Sequence, residues 1–299
     1  MNVVVTGASG LIGTRLVERL RARGDEVTTL SRTPRSPQAV AWQPEREPAP
    51  AEALAGRDAV VHLAGENVAQ RWSDEAKRRI RSSREIGTRN LVAGIEAAEP
   101  RPRVLVSSSA VGYYGPHGEE PLDEDTPPGG DFLAEVCVAW EREARRAADL
   151  GLRVAIVRTG VVLDREGGAL AKMLPFFKLG VGGPVAGGSQ YMPWIHVDDV
   201  VGIYLAALDG DEWSGPLNAS APEPVTNKRF STSLGRALHR PAVAPVPALA
   251  VRALYGEMAE IVTKGQRVLP LRPRKLGYRF AHTDLDEALR SALGEPATS

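Results

Sequence analysis

Cysteine, net charge and long apolar runs are scarce in this chain. Its 299 residues include one cysteine, Cys137, which excludes an internal disulfide and any zinc or redox motif built from paired thiols. No stretch approaches the ~20 consecutive apolar residues of a membrane-spanning helix. Residues 1–6 also lack the basic region of a signal peptide. These absences predict a cytoplasmic protein with no membrane partner.

Positive and negative side chains balance, with 37 of each and a formal net charge of zero. A chain without net positive charge has no global field that attracts nucleic acid. The basic run between Arg71 and Arg84 is interrupted by Asp74 and Glu75, which is typical of a solvated helix face. We therefore expect no nucleic-acid partner, and any anion site must be local.

The first 160 residues alternate short apolar runs with longer amphipathic ones. Strands are predicted at Asn2–Thr6, Glu26–Ser31, Asp58–Leu63, Arg103–Ser108 and Arg153–Arg158. Helices are predicted at Leu11–Arg23, Ser73–Ala98 and Leu133–Leu150. Alternating strands and helices predict an α/β fold with a doubly wound parallel sheet. Residues 33–50 are expected to form a short, irregular crossover, residues 195–208 a short strand running into a helix, and residues 216–224 a loop.

A glycine pattern follows the first predicted strand and opens the first predicted helix. Gly7 permits a tight turn, Gly10 lets the backbone approach a pyrophosphate, and Gly13 lets the helix pack close to the sheet. The N-terminus of that helix supplies free N–H groups and positive potential. The segment therefore predicts a dinucleotide site, whose remaining contacts come from Ser9, Leu11 and Ile12.

The end of the second predicted strand indicates which dinucleotide is bound. An acidic residue there binds the ribose 2′-hydroxyl of NAD, whereas a nearby arginine accommodates the 2′-phosphate of NADP. Here the strand ends in Ser31 and Arg32, with Arg35 close behind and no acid. A hydroxyl and a planar cationic fork predict a preference for NADP(H).

These residues resemble the extended short-chain dehydrogenase/reductases over nearly the whole chain. The glycine spacing matches, and further likenesses occur at residues 62–65, 87–91, 107–115 and 195–200. Residues 64–67, 158–163 and 193–196 are similar to the epimerase-like subgroup, often labelled sugar-nucleotide epimerases. The resemblance implies a Rossmann-type sheet and a small C-terminal helical domain. It also implies a cofactor lining of Leu63, Ala64, Gly65, Arg84 and Val162.

Two lobes are expected on this basis. Residues 1–165, with a return segment at about 190–210, are expected to form the NADP-binding Rossmann domain. Residues 166–189 and 211–299 are expected to form a smaller, mainly helical lobe that closes over a substrate. Within that lobe, the C-terminal helical domain is placed at about 248–293.

The proton-transfer pair of short-chain dehydrogenases is missing. The family uses a Ser together with a Tyr four residues before a Lys, and the lysine lowers the pKa of the tyrosine. Ser109 fits the first role, but no Tyr-x-x-x-Lys occurs, and Cys137 stands at the lysine position. Tyr113 is the nearest candidate proton donor, with a packing role as its alternative. Cys137 either faces the nicotinamide or is a buried, inert thiol.

Two functions remain open. The first is an NADP-dependent oxidoreductase or epimerase-like enzyme acting on a carbonyl or carbinol of a small molecule, with Glu66, Arg71 and Trp194 positioning the substrate. The second is an NADPH-binding sensor or interaction protein that has lost its chemistry. His196, Asp198 and Asp199 look like metal ligands, but they open a helix where Asp favours the cap and first turn. We expect no metal, and a monomer or homodimer.

Overall fold

The computed structural model describes residues 1–294. In chain order the strands and helices are β1 (Asn2–Thr6), α1 (Leu11–Ala22), β2 (Glu26–Ser31), β3 (Ala39–Ala41), α2 (Ala51–Leu54), β4 (Ala59–His62), α3 (Asp74–Ala97), β5 (Val104–Ala110), β6 (Pro121–Leu122), α4 (Phe132–Asp149), β7 (Arg153–Thr159), β8 (Val161–Leu163), α5 (Gly168–Lys178), β9 (Tyr191–Met192), β10 (Trp194–His196), α6 (Val197–Asp209), β11 (Gly215–Ala219), β12 (Val225–Thr226), α7 (Asn227–Ala237), α8 (Ala248–Tyr255), α9 (Ala259–Lys264), β13 (Arg267–Val268), α10 (Leu271–Lys275) and α11 (Leu285–Leu293). Short 3₁₀ helices occupy Val111–Tyr114 and Gly256–Met258.

Seven strands form one parallel sheet in the order β11-β7-β5-β4-β1-β2-β3. The chain moves outward from β1 in one direction and then returns to build the other half from β4. In such sheets ligands bind at the carboxyl ends of the strands, where the strand order reverses. That position lies between the carboxyl ends of β1 and β4, where the glycine pattern follows β1.

Apolar side chains alternate across the sheet, so each strand contributes to two cores. Val3 and Val5 of β1 face α1 and α6, whereas Val4 faces α3 and α4. Helix α3 begins after Ser73, whose side chain accepts the N–H of Ala76. This cap satisfies one of the free N–H groups at the start of the helix. Helices on both faces explain why the strands are almost continuously apolar.

A third core lies outside the main sheet, where α5, α7 and α11 surround β8 and β10. One of these helices, α11, belongs to the C-terminal part of the chain. The region from Ala248 onward is mainly helical. The expected α/β class, with a doubly wound sheet and a helical C-terminal region, is confirmed. The expected division into two lobes stays a prediction. No helix within residues 1–294 is long and apolar enough to cross a bilayer.

One expectation about a loop was wrong, and one expected irregular segment contains a short strand. Residues 216–224 were expected to be loop, but Gly215–Ala219 form β11, which pairs with β7 at the edge of the main sheet. Pro216 argued against a strand here, because proline is disfavoured in a central strand. An edge strand such as β11 tolerates it. The irregular crossover at residues 33–50 contains β3, a three-residue strand at the opposite edge. The expected strand before α6 does form, but as β10 it pairs with β8 in a separate small sheet.

Candidate functional site

The turn after β1 leaves no room for side chains at two of its glycines. Gly7 has a positive φ of 69°, and a Cβ there would lie 2.6 Å from the carbonyl carbon of Leu63. A Cβ on Gly13 would lie 2.2 Å from the carbonyl oxygen of Gly7. Gly10 differs, because its Cβ would meet only that oxygen, at 3.3 Å. Gly7 and Gly13 are thus required by the fold, whereas Gly10 faces open space above the turn.

Helix α1 starts at this turn with an open N-terminus. Gly10 is its N-cap residue, no side chain caps it, and its first turn contains no acidic residue. The N–H groups of the first turn have no partner inside a helix. Together with the helix dipole, they form a site for a phosphate group. The structure therefore brings Gly7, Ser9, Gly10, Leu11, Ile12 and Gly13 to one place.

The end of β2 provides a second positive group at the same edge of the sheet. The hydroxyl of Ser31 accepts the N–H of Thr33 at 3.2 Å and is only partly buried. Arg32 is exposed. Within residues 1–294, no carboxylate lies at salt-bridge distance from its guanidinium. Arg32 is therefore free to bind an anion from outside the chain.

A buried hydrogen-bonded chain fixes the segment beside the glycine turn. His62, at the end of β4, contacts the hydroxyl of Thr6 through Nδ1 (2.7 Å) and that of Thr88 through Nε2 (2.9 Å). The same Thr6 hydroxyl accepts the N–H of Ala64 at 3.2 Å. Burial, helped by the positive charge of Arg84, lowers the pKa of His62 to about 4. The imidazole is therefore neutral at pH 7 and serves to position residues 63–65.

This histidine predicts a loss of stability in mild acid. Because the pKa of His62 is about 4 in the folded protein, against an ordinary value of 6.5, the unfolded chain binds the proton more readily, and stability falls as the pH drops from 6.5 towards 4. The free energy of unfolding is expected to fall by about 3 kcal/mol over this range. Urea unfolding between pH 7 and pH 4 measures it, with His62→Gln showing a shallower fall. His117→Gln, in a surface loop, is the control, and equal slopes for wild type and His62→Gln would contradict the assignment.

The expected catalytic serine is part of a buried ionic network. Ser109 is 3% exposed and donates its hydroxyl proton to Oε1 of Glu141 at 2.8 Å. Both oxygens of Glu141 bind Arg158, at 2.8 and 2.9 Å. Arg158 also donates to the hydroxyl of Tyr114 at 3.0 Å, and that hydroxyl donates to Asn218 of β11 at 2.6 Å. The network joins β5, α4, β7 and β11 beneath the carboxyl edge of the sheet.

Tyr113 and Cys137 lie beside this network. The ring of Tyr113 is half-buried, with Cζ of Arg158 3.4 Å from the ring centroid. Cys137 is buried, and its thiol donates to the carbonyl of Ala110 at 3.7 Å. Burial raises the pKa of the Cys137 thiol to about 12. Of the two alternatives for Cys137, this geometry favours the inert thiol.

Sequence reasoning assigned no role to Glu141, Arg158 or Asn218. The available signal was an arginine inside an otherwise apolar strand, since a charge buried in a sheet requires a partner. The motif containing Arg158 was recognised only as a family likeness. Glu141 carried no comparable signal, because charged residues such as Arg142 and Glu143 follow it directly in the sequence.

The expected substrate and lining residues lie in different places. Glu66 is half-buried after β4, and Arg71 is exposed and donates to the carbonyl of Ala253 at 2.6 Å. Val162 of β8 packs against the core formed by α1 and α6. Trp194 is 1% exposed in the third core and donates to the carbonyl of Glu223 at 3.2 Å. The geometry thus favours a core role for Trp194.

The residues that look like metal ligands, His196, Asp198 and Asp199, make hydrogen bonds within the fold. Nδ1 of His196 accepts the N–H of Asp198 at 3.2 Å and so caps α6. The carboxylate of Asp199 accepts the N–H groups of Ala281 and His282, at 2.7 and 3.0 Å. His196, Asp198 and His282 offer ligand atoms within 4.8 Å of one another. The two imidazoles, however, stack with centroids 3.7 Å apart. The absence of a metal stays a prediction.

Comparison with known proteins is consistent with this geometry. A family model described as the NAD dependent epimerase/dehydratase family matches residues 3–218. A second model, a domain of unknown function (DUF1731), matches residues 246–292. The two matches cover the main sheet and most of the C-terminal helical region.

Relatives and solved structures match almost the whole chain. An Arabidopsis thaliana protein described as a chloroplastic SDR39U1 homolog is 43% identical over 98% of this chain and 87% of its own length. A crystal structure of human SDR39U1 (isoform 2) with NADPH has a TM-score of 0.91 and 38% identity, covering 98% of this chain and 99% of that one. A nucleoside-diphosphate sugar epimerase from Corynebacterium glutamicum has a TM-score of 0.81 and 36% identity, covering 98% of this chain and 58% of that one.

Proposed function

This chain belongs to the NAD dependent epimerase/dehydratase family, and from that premise we propose that it binds NADP(H) and exchanges a hydride with a carbonyl or carbinol carbon of a small molecule. The membership confirms the resemblance to extended, epimerase-like short-chain dehydrogenases. The observation that carries the proposal is the tight glycine turn at an uncapped helix N-terminus, with Arg32 at the end of the next strand and no carboxylate of residues 1–294 paired with it.

The residues present fit the cofactor. Side chains are excluded from the turn by backbone contacts at Gly7 and Gly13, so a pyrophosphate can approach the N–H groups of α1. Ser31 and Arg32 would bind the 2′-phosphate, with Leu63, Ala64, Gly65, Arg84 and Val162 along the rest of the dinucleotide. The human relative was crystallised with NADPH, which supports this choice of cofactor. When bound, the nicotinamide supplies the hydride.

Arg32→Ala tests the choice of NADP(H) over NAD(H). The substitution removes a charge-assisted contact to the 2′-phosphate, so NADPH affinity is expected to fall about 10- to 100-fold. NADH lacks that phosphate, and its affinity is expected to stay within about twofold. Nicotinamide fluorescence titrations measure both, with Arg46→Ala as the surface control. Equal affinities of the wild type for NADPH and NADH would contradict the proposed preference for NADP(H).

On the reacting side, Ser109 is the proposed hydrogen-bond donor to the substrate oxygen, with Tyr113 as a proposed neighbour. The hydroxyl of Ser109 is held at the carboxyl end of β5 by Glu141. It would have to turn from that carboxylate to reach a substrate. Glu66 and Arg71 remain proposed substrate contacts, since they follow β4 at the edge where ligands bind.

One set of contacts favours the alternative, an NADPH-binding protein without turnover. Ser109 donates to Glu141, Tyr113 lies against Arg158, and burial raises the pKa of Cys137 to about 12. NADPH absorbance over a panel of aldehydes and ketones decides between the two functions. Turnover that is lost in Ser109→Ala supports the oxidoreductase, whereas tight NADPH binding without turnover supports the sensor.

The expected cytoplasmic placement stays a prediction, since the Arabidopsis relative is described as chloroplastic. A monomeric or homodimeric state is likewise proposed, as is the closing of residues 166–189 and 211–299 over a substrate. Gel filtration with and without NADPH addresses the oligomeric state and any compaction on binding.

A further inference from the structure

Residues 253–269, which we call the arch, lie over the carboxyl edge of the main sheet. At one end Arg71, in the loop after β4, donates to the carbonyl of Ala253 at 2.6 Å. At the other end the side-chain amide of Asn218, in β11, donates to the carbonyl of Leu269 at 3.0 Å. Strands β5 and β7 lie between β4 and β11 in the sheet. The arch therefore spans the carboxyl ends of both, where ligands of such sheets bind.

Arg267, in β13, lies on the arch without a partner. Its Nε is buried and has no hydrogen-bond partner within residues 1–294. No carboxylate of the described chain lies at salt-bridge distance from its guanidinium. By contrast Arg272, just beyond the arch, pairs with Asp125 at 3.1 Å. A buried donor without an acceptor is costly, so Arg267 points to an acceptor from outside the chain.

An aromatic ring and the strand itself orient this guanidinium. Its Cζ lies 5.4 Å from the ring centroid of Tyr191, and both side chains are half-buried. The N–H of Gln266 donates to the carbonyl of Tyr191 at 3.2 Å, which fixes β13 beside β9. Val268 is fully buried in a core with Tyr114. Because successive side chains of a strand point to opposite faces, Arg267 is turned away from that core.

The guanidinium of Arg267 is remote from the proposed phosphate sites of the cofactor. Those sites are the N-terminus of α1 and Arg32, which follow β1 and β2. Three strands separate β1 from β11, to which the end of the arch is bonded. That separation is about 19 Å at the usual strand spacing. The cofactor phosphates have their own positive groups, and Arg267 is left for a different ligand.

We propose that Arg267 binds an oxyanion of the substrate, and that this substrate carries a carboxylate or phosphate group away from its reacting carbon. The inference rests on the proposed function, in which Ser109 at the end of β5 contacts the reacting oxygen. Arg267 lies near the β11 end of the arch, so the two residues contact different parts of one small molecule. A guanidinium suits either anion, because its planar N–H donors match paired carboxylate or phosphate oxygens. A neutral aldehyde or ketone would leave the buried Nε without an acceptor.

Inorganic phosphate and acetate are the probes, each titrated calorimetrically into the full-length protein saturated with NADP⁺. The nucleotide occupies the proposed cofactor phosphate sites, so that any remaining anion binding belongs elsewhere. Wild type is expected to bind at least one of the two anions, and Arg267→Met to weaken that binding at least about tenfold. The anion that binds more tightly identifies the substrate group as a phosphate or a carboxylate. Arg236→Met, on α7 with 60% of its side chain exposed, should leave binding unchanged. The proposal is overturned if wild type binds neither anion, or if Arg267→Met binds them equally well.

Nicotinamide fluorescence separates this inference from the proposed function. The NADPH affinity of Arg267→Met is expected to stay within about threefold of wild type, because the cofactor phosphates lie beyond the Debye length at physiological salt. A loss of about 30-fold would place Arg267 in the cofactor site and refute the assignment. If wild type itself fails to bind NADPH, the proposed function fails. The difference in anion binding between wild type and Arg267→Met without nucleotide then still decides the role of Arg267.

Melting temperatures distinguish ligand binding from a structural role. Removal of an unpaired, partly buried charge should leave the melting temperature of Arg267→Met unchanged or raise it. Arg267→Lys keeps the charge but loses the planar fork, so it should retain part of the anion affinity. Loss of anion binding together with a lowered melting temperature, and without rescue by Arg267→Lys, would show that the residue supports the fold instead.

Discussion

Replacing Glu141 with Gln is expected to destabilise the protein by about 3–5 kcal/mol. The substitution keeps the size of the side chain but leaves Arg158, which is 1% exposed, without its counter-charge. Glu141 also accepts the hydroxyl of Ser109 and a guanidinium N–H of Arg145. A buried ion pair contributes little net stability when complete, but removal of one partner strands a charge in a medium that solvates it poorly. Urea unfolding at pH 7 measures the difference.

Glu135→Gln is the matched control, since it changes the same residue type on the same helix. Its ion pair with Arg81 is exposed, at 58% and 41% of the two side chains, so the expected cost is below about 1 kcal/mol. Adding Arg158→Met to Glu141→Gln should recover part of the lost stability, because no charge then remains buried. A cost for Glu141→Gln as small as that of Glu135→Gln would show that the pair is effectively solvated.

Gly13→Ala is expected to abolish NADPH binding and to destabilise the protein by about 2–3 kcal/mol. Helix propensity alone favours Ala over Gly by about 1 kcal/mol inside a helix. The new methyl group would, however, lie 2.2 Å from the carbonyl oxygen of Gly7 and 2.8 Å from Cα of Ala8. Both are backbone atoms of the proposed phosphate loop, so the overlap must shift the loop or α1. Thermal unfolding and NADPH fluorescence titration measure the two effects.

Two other glycines separate the fold effect from the binding effect. Gly87→Ala, within α3, places its methyl group 3.4 Å from Pro44, an ordinary contact, and is expected to be neutral or slightly stabilising. Gly10→Ala meets only the carbonyl oxygen of Gly7, at 3.3 Å. It should keep most of the stability but lose NADPH affinity, because its methyl group faces the proposed pyrophosphate. If Gly13→Ala matches Gly87→Ala in both stability and NADPH affinity, the close packing of α1 on the turn is required neither for the fold nor for binding.

Sequence patterns predicted the elements whose residues are governed by local rules. The five long strands and the helices after Gly10, Ser73 and Asp131 came from apolar periodicity and end signals, and their observed bounds agree within two residues. Strand β11 was missed because its place in the sheet depends on pairing with β7, which is distant in sequence. Strand β3 was missed for a different reason, since its three residues are too few to show a strand periodicity.

The candidate site divides in the same way. The glycine turn is specified by consecutive residues, so its geometry follows from spacing alone. The network around Ser109 joins Glu141, Arg158 and Asn218 from three elements, and only the tertiary fold brings them together.

The edge position of β11 also matters while the chain is being made. Strand β7 ends at Thr159, but its outer partner begins only at Gly215. During synthesis, β7 therefore emerges from the ribosome with unpaired backbone groups on one side, and an open strand edge can pair with another chain. Asn218, which accepts the hydroxyl of Tyr114 next to Arg158, arrives with the same late strand. Until β11 is made, that edge of β7 stays open to pairing with another chain.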